Sequence, residues 1–236
     1  MNPKPVSHSE LQKRSYMNVA RASEAVDIPL NAPPAVVAQL RQLQQAFADV
    51  CNAIAPIVRE TRCWNRVTLH HLVYRSLRER FPQLGSQMIC NAIYSVSRTC
   101  RAVFQTPASP FSLARLGDRP LPRMRFAPDA PVYFDRHTLS IRDGVVSMLT
   151  LDGRIRFRLS ISAADEERFR QERLREIRLQ NQGAQFVLRF VFAADADHAS
   201  PAKEAKHRSA GAELPEYVVL SDEDSADQAK ELGEVA

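Results

Sequence analysis

Residues 131–162 read PVYFDRHTLSIRDGVVSMLTLDGRIRFRLSIS. Three short extended runs lie in this stretch, Val132–Phe134, Leu139–Arg142 and Val145–Leu151, and a fourth, Arg154–Ile161, closes it. Asp143-Gly144 and Asp152-Gly153 stand between consecutive runs. Asp-Gly accepts the positive φ of a tight hairpin at little cost, so both pairs predict antiparallel turns. Within the fourth run Arg154, Arg156 and Arg158 alternate with Ile155, Phe157 and Leu159. Period-two alternation puts three guanidiniums on one face and three apolar side chains on the other. Like charges stacked about 6–7 Å apart repel unless an anion or cross-strand acids such as Asp135 or Asp143 cover them.

Downstream, Ala163–Leu174 (AADEERFRQERL) predicts a charged helix with its acids near the positive end of the dipole. Ile177–Gln180 and Ala184–Ala193 predict a last hairpin around Asn181-Gln182-Gly183. Upstream, residues 106–131 hold six prolines and predict a tethered loop. Before that the pattern is helical. Pro33-Pro34 opens a helix, and Val36, Val37, Leu40, Leu43, Phe47, Val50, Ile54 and Ile57 carry it to about Arg59. Thr68 caps a second helix that Pro82 ends, and Ser86 caps a third, striped by Ile89, Ile93, Val96, Cys100 and Phe104. Glu24–Leu30 reads as one strand. The expected fold class is α+β. About three helices are inserted in, or followed by, a small antiparallel barrel of OB-like type, and the C-terminal tail is disordered. The domains are a flexible arm at 1–23, a helical region at 24–105 whose first strand joins the barrel, a linker at 106–131, a barrel at 132–193 and a tail at 194–236.

Charge divides along the same boundary. Residues 1–193 hold 28 Lys+Arg against 16 Asp+Glu, and residues 194–236 hold 4 against 11. Of the 28 cations 26 are Arg. A high-GC genome would raise the Arg share, but it would not segregate the sign. Guanidinium is planar, permanently charged and forks onto phosphate, so the basic body predicts a nucleic-acid partner. The tail lacks the apolar content for a core of its own, which makes it dispensable for folding and a tethered competitor for the basic face. Inside it, Glu216–Asp224 (EYVVLSDED) runs apolar and then acidic, in the manner of a short linear docking motif.

The candidate contacts are Tyr74, Arg75 and Arg78 on the second helix, Ser86, Gln87, Asn91 and Arg98 on the polar side of the third, and Arg154, Arg156 and Arg158. Arg75 and Arg78 lie three apart and so share a face, while amides at Gln87 and Asn91 point the same way and suit an adenine edge. Each of these faces is also what an ordinary solvated helix or strand displays. No catalytic residue, metal or cofactor is expected. GxSxG, HExxH and Walker patterns are missing, no carboxylate triad emerges, and adjacent His70 and His71 point about 100° apart on a helix. The N-terminus has no apolar signal region, no run approaches the ~20 residues of a membrane span, and four cysteines without CxxC predict free thiols in a reducing cytoplasm.

LHHLVYRSLRERFPQLGSQMICNAIYSVSRTCRAVF, with Tyr74-x-x-Leu77-Arg78 before its turn, resembles the helical recognition region of the transposon-encoded TnpB nucleases and the related type V CRISPR effectors. PVYFDRHTLSIRDGVVSMLTLDGRIRFRLSIS and REIRLQNQGAQFVLRFVFA resemble the wedge barrel of that family. The resemblance covers about 24–193. It implies that Ser86, Gln87 and Asn91 lie beside a short flanking DNA motif, Arg75 and Arg78 near a guide–target heteroduplex, and Arg154, Arg156 and Arg158 near RNA. The RuvC domain that follows in the family has no counterpart here, which implies recognition without cleavage, with an effector supplied in trans. The expected partners are therefore guide-like RNA and target DNA. The alternative from the residues alone is a protein-interaction module whose basic body and acidic tail dock a protein.

Overall fold

The computed structural model describes residues 25–183, 185–192 and 214–221. The expected arm at 1–23 and most of the expected tail lie outside the described residues. Three long helices come first, after a strand β1 (Ala25–Pro29): α1 (Pro34–Thr61), α2 (Arg66–Arg80) and α3 (Ser86–Cys100). A π-helical turn, Arg101–Gln105, ends α3, and a one-turn helix α4 (Leu113–Leu116) follows. Then come β2 (Arg123–Phe126), β3 (Val132–Phe134), β4 (Leu139–Arg142), β5 (Val145–Thr150), β6 (Gly153–Arg158), α5 (Ala163–Gln171), β7 (Leu174–Gln182), β8 (Gln185–Phe192) and β9 (Val218–Ser221).

The strands form three separate antiparallel sheets, ordered β1-β8-β7-β3, β2-β9 and β4-β5-β6. None closes, so the expected OB-like barrel is corrected to an open α+β arrangement. The chain breaks the sheet at Asp135. Its Oδ1 accepts from the backbone N–H of His137 and Thr138 and from Thr138 Oγ1. This side-chain turn ends β3 and sends β4 away from it. At the other end α5 follows β6, and the chain returns to pair β7 with β3 and β8. β6 therefore never meets the four-stranded sheet.

Both Asp-Gly turns form. Asp143 and Gly144 have φ of 50° and 70°, the two positive values a tight primed turn requires, and the ladder continues as Arg142↔Val145 and Ile141↔Val146. The first strand finds its partner across the whole sequence, with Val26 opposite Phe190 and Ile28 opposite Leu188. Its buried positions, Val26, Ile28 and Leu30, alternate as a half-buried strand should. α1 lays Leu40, Leu43, Phe47, Val50, Ile54 and Val58 into the same core, and these are essentially inaccessible. α2 is capped by Asn65, whose Oδ1 accepts from Val67 N and Thr68 N, so Asn65 replaces Thr68 as cap. Gly85, not Ser86, stands at the N-cap of α3.

The Pro-rich segment differs most from its reading as a plain loop. It contains β2, and β2 pairs with β9, a strand from within the acidic tail. The tail is thus structured at Leu214–Ser221, contrary to expectation. α1 holds this part of the chain with polar side chains two turns apart. Gln44 Nε2 donates to Asp129 O at 3.1 Å, Asn52 pairs with Phe126, and Arg59 Nε donates to Leu121 O at 2.9 Å. A segment with few backbone donors gains its partners from a helix face.

Candidate nucleic-acid interface

Sheet β4-β5-β6 has one buried face and one face that is open except at Leu149, which packs against the core beside Gly85. Val146 and Met148 are buried on the inner side, with Leu139, Ile141, Ile155 and Phe157 packed there. The opposite face carries Ser140, Arg142, Val145, Ser147, Leu149, Arg154, Arg156 and Arg158, by strand alternation. Four of these eight are Arg and none is acidic. Register gathers them further. Arg142 and Arg158 flank Val145 from either side, and Arg156 lies opposite Ser147.

The arginines do not share one role. Arg154 is bound internally: Nη1 donates to Ser147 O and Oγ at 3.2 Å, and Nη2 to His137 O. Arg142, Arg156 and Arg158 have no hydrogen-bond or ion-pair partner among the described residues. Asp135, a candidate counter-charge, faces elsewhere, receiving Gln87 Nε2 at 2.6 Å. Arg142 joins this face through the register of β4 on β5, which the Asp143-Gly144 turn sets.

The helical candidates sit differently. Arg75 is 95% exposed in its side chain and meets Glu79 at 3.4 Å, one turn on. Tyr74 stacks on His70, ring centroids 4.6 Å apart. Arg78 donates to Leu84 O and closes the turn between α2 and α3. Ser86 is exposed. Asn91 is 6% exposed and donates to Thr138 Oγ1 at 3.4 Å. Arg98 Nη1 lies 3.1 Å from Glu176 Oε2. The polar side of α3 thus joins the helix to β3, β4 and β7. Gln87 and Asn91 bond the protein, so their amides are engaged where the sequence left them available to a base.

Glu176 is the hub that sequence reading missed. Its side chain is 6% exposed, yet Tyr94 Oη donates to it at 3.1 Å, and Arg98 and Arg178 flank it. Arg178 Nε lies 2.9 Å from Oε1, but neither atom makes a well-directed hydrogen bond; the pair is electrostatic contact rather than an aligned bond. Tyr133 Oη, edge-on to Tyr94, is buried without a hydrogen-bond partner among the described residues. Burial pushes both tyrosines above their ordinary range. Burial also pushes the Cys100 thiol up to about 12, and raises Cys51 too; all four cysteines are free. Buried thiols of this kind are inert.

Beside this hub a cleft of about 1100 Å³ opens between the β3–β4 connection, α5 and the start of β7. Phe134, Ile141, Phe169 and Ile177 form apolar walls, and Asp143, Glu166, Arg136 and Arg170 give it mixed charge. Among the described residues no group of three His, Cys, Asp or Glu is placed to hold a metal ion, and no helix is long and apolar enough to cross a membrane.

No family model matches the chain and no curated protein matches its sequence. The resemblance to the TnpB and type V CRISPR nucleases is corrected on the structure as well. Its wedge required a barrel, and the three sheets stay separate and open. Hairpins of similar order and spacing build open sheets as readily as closed ones, because closure depends on pairing between strands far apart in sequence.

Proposed function

We propose that this protein binds nucleic acid without catalysis, through the phosphate backbone, on the open face of β4-β5-β6. The observation that carries the reading is the acid-free row of Arg142, Arg156 and Arg158, none with a partner among the described residues. Holding guanidiniums side by side on a rigid sheet costs repulsion that an anion relieves. Arg forks onto phosphate oxygens with two parallel bonds. The face offers no aromatic ring and no free amide, so it tracks the backbone rather than reading bases. Cytoplasmic residence fits the same reading, since it keeps the four cysteines as free thiols.

The test is fluorescence anisotropy of a labelled single-stranded RNA with the full chain. If about six phosphates are neutralised, affinity falls about a thousandfold between 50 and 200 mM salt. Arg156→Glu with Arg158→Glu lowers affinity at least about tenfold and flattens the salt slope, with the melting curve unchanged. A flat salt titration of the native chain, or equal affinity of the double variant, overturns the proposal.

A further inference from the structure

We propose that β2 is the acceptor edge of a peptide-binding groove, and that Leu214–Ser221 is the ligand it holds in cis. The partner it fits is an extended protein segment with an aromatic residue, alternating aliphatic residues and then carboxylates. This stands independently of the arginine face.

β2 is four residues long and pairs only with β9 among the described residues. Its other edge is taken by a side chain. Asn52 Nδ2 donates to Phe126 O at 3.0 Å, and Asn52 Oδ1 accepts from Phe126 N at 2.7 Å. With Phe126 turned to Asn52, strand alternation turns the backbone groups of Arg123 and Arg125 to Ser221 and Val219. Ala127 N donates to Tyr217 O at 2.9 Å and extends the ladder. The groove is therefore built by the body: α1 fixes the acceptor strand, and the second strand is added to it.

The added strand has the anatomy of a ligand. Tyr217 stacks on Phe126 with centroids 6.4 Å apart, and its Oη lies 3.5 Å from Thr99 Oγ1. Val218 and Leu220 pack on the core, while Val219 is 59% exposed. Alternate side chains thus pack inward and main-chain bonds supply the rest. β9 ends at Ser221 opposite Arg123, and the sequence next reads Asp222-Glu223-Asp224. The 21 residues between Phe192 and Leu214 reach up to about 70 Å when extended, enough to span a domain. A two-stranded sheet is marginal alone, so β9 is suited to leave while the body stays folded.

The test uses the full chain with a protease site inserted between residues 205 and 206, folded first and then cut. A fluorescent peptide of residues 212–224 is added. It binds the cut chain and releases the tail fragment, and binds the uncut chain about a hundredfold more weakly, because the tethered copy competes at about millimolar effective concentration. A peptide carrying Tyr217→Asp and Leu220→Lys does not bind. Absence of binding to the cut chain, equal binding to cut and uncut chain, or equal binding of the substituted peptide overturns the proposal. Hydrogen exchange on the uncut chain provides the second measurement, should cutting unfold the body. The amides of Arg123, Arg125 and β9 exchange together and well ahead of β7 and β8; protection equal to β7 and β8 overturns it. So does a concentration-dependent dimer in which labelled and unlabelled copies exchange tails, since the occupant would then be a second copy rather than the cis segment.

Discussion

Asn52 stands to Phe126 as a neighbouring strand would, its amide accepting from the Phe126 N–H and donating to the Phe126 carbonyl. One side chain on a helix thereby satisfies both backbone groups on one edge of β2. Asn52→Ala leaves a donor and an acceptor without partners at a part-buried position. An unsatisfied group costs about 1–3 kcal/mol, so urea unfolding should report a loss in that range or above. Asn52→Asp keeps the acceptor and loses the donor, and should fall between.

That relationship also marks the limit of what the sequence made legible. The three helices, the short strands and both Asp-Gly turns follow from periodicity and turn chemistry, which act over a few residues. Pro33-Pro34, Asp143-Gly144 and the Arg154–Arg158 alternation are all of this kind. β2 was hidden because Arg123–Phe126 lies among prolines and its partners, Asn52 and β9, are 71 or more residues away. The barrel was misread for the same reason: closure depends on long-range pairing, and Asp135 redirects the chain through a local turn whose consequence is global. At the candidate site, alternation identified the exposed side of β6. It could not show that Arg154 bonds His137 and Ser147 while Arg156 and Arg158 do not, nor that Gln87 and Asn91 are engaged by Asp135 and Thr138.

The three arginines of β6 should therefore separate by experiment. Arg154→Ala removes bonds that tie β6 to Ser147 and to the entrance of β4, and should lower stability by about 1 kcal/mol. Arg156→Ala and Arg158→Ala should lie within about 0.5 kcal/mol of the native chain, as surface changes do. Thermal melts of the single variants beside RNA affinities check both halves. The pattern fails if Arg154→Ala is the silent one.

Glu176 should respond strongly to loss of charge. Glu176→Ala leaves Arg98 and Arg178 beside a void without their counter-charge. Breaking a buried pair from one side costs about 3–5 kcal/mol, and Arg98, being partly exposed, places the expectation at the lower end. Adding Arg178→Met should recover part of the loss, since the stranded buried charge is then removed. A double-mutant cycle in chemical denaturation reads the coupling directly.

The acid limb of stability should show Asp27. Arg189 Nε donates to Asp27 Oδ1 at 2.7 Å, joining β1 to β8, and Gln182 Nε2 donates to Oδ2 at 2.9 Å. The hydrogen bond from Arg189 holds the Asp27 carboxyl below its ordinary 3.8. A depressed folded value stabilises above the unfolded value, and that gain disappears as pH falls through the lower folded one. Asp27→Asn should therefore melt lower than the native chain at pH 6 and converge with it as pH falls below the ordinary carboxylate range. The pair is partly solvated, so salt should also narrow the gap at pH 6. A gap that persists unchanged into acid would mean that Asp27 acts through packing rather than charge.

Truncation distinguishes two parts of the tail. Reading the whole tail as acidic and unstructured makes deletion of 194–236 neutral for stability; the β2–β9 ladder reverses this. Removing 214–236 strips β2 of its only strand partner among the described residues, uncovers Phe126 and removes the Tyr217 contacts. Removing 222–236 leaves β9 in place. The first deletion should lower the melting temperature by several degrees, at roughly 2–4 °C per kcal/mol for a chain of this size. The second should leave it within about one degree, because it touches no residue of the ladder. The same pair of proteins addresses competition for the arginine face. β9 is held at β2, not on β4-β5-β6, so any acidic competition must come from the charges around it. RNA affinity at low salt should then rise for the 222–236 deletion, where carboxylates are lost without loss of the strand. Equal affinity for that deletion and the full chain would place the acidic segment out of reach of the arginines, while equal stability of both deletions would remove β9 from the fold.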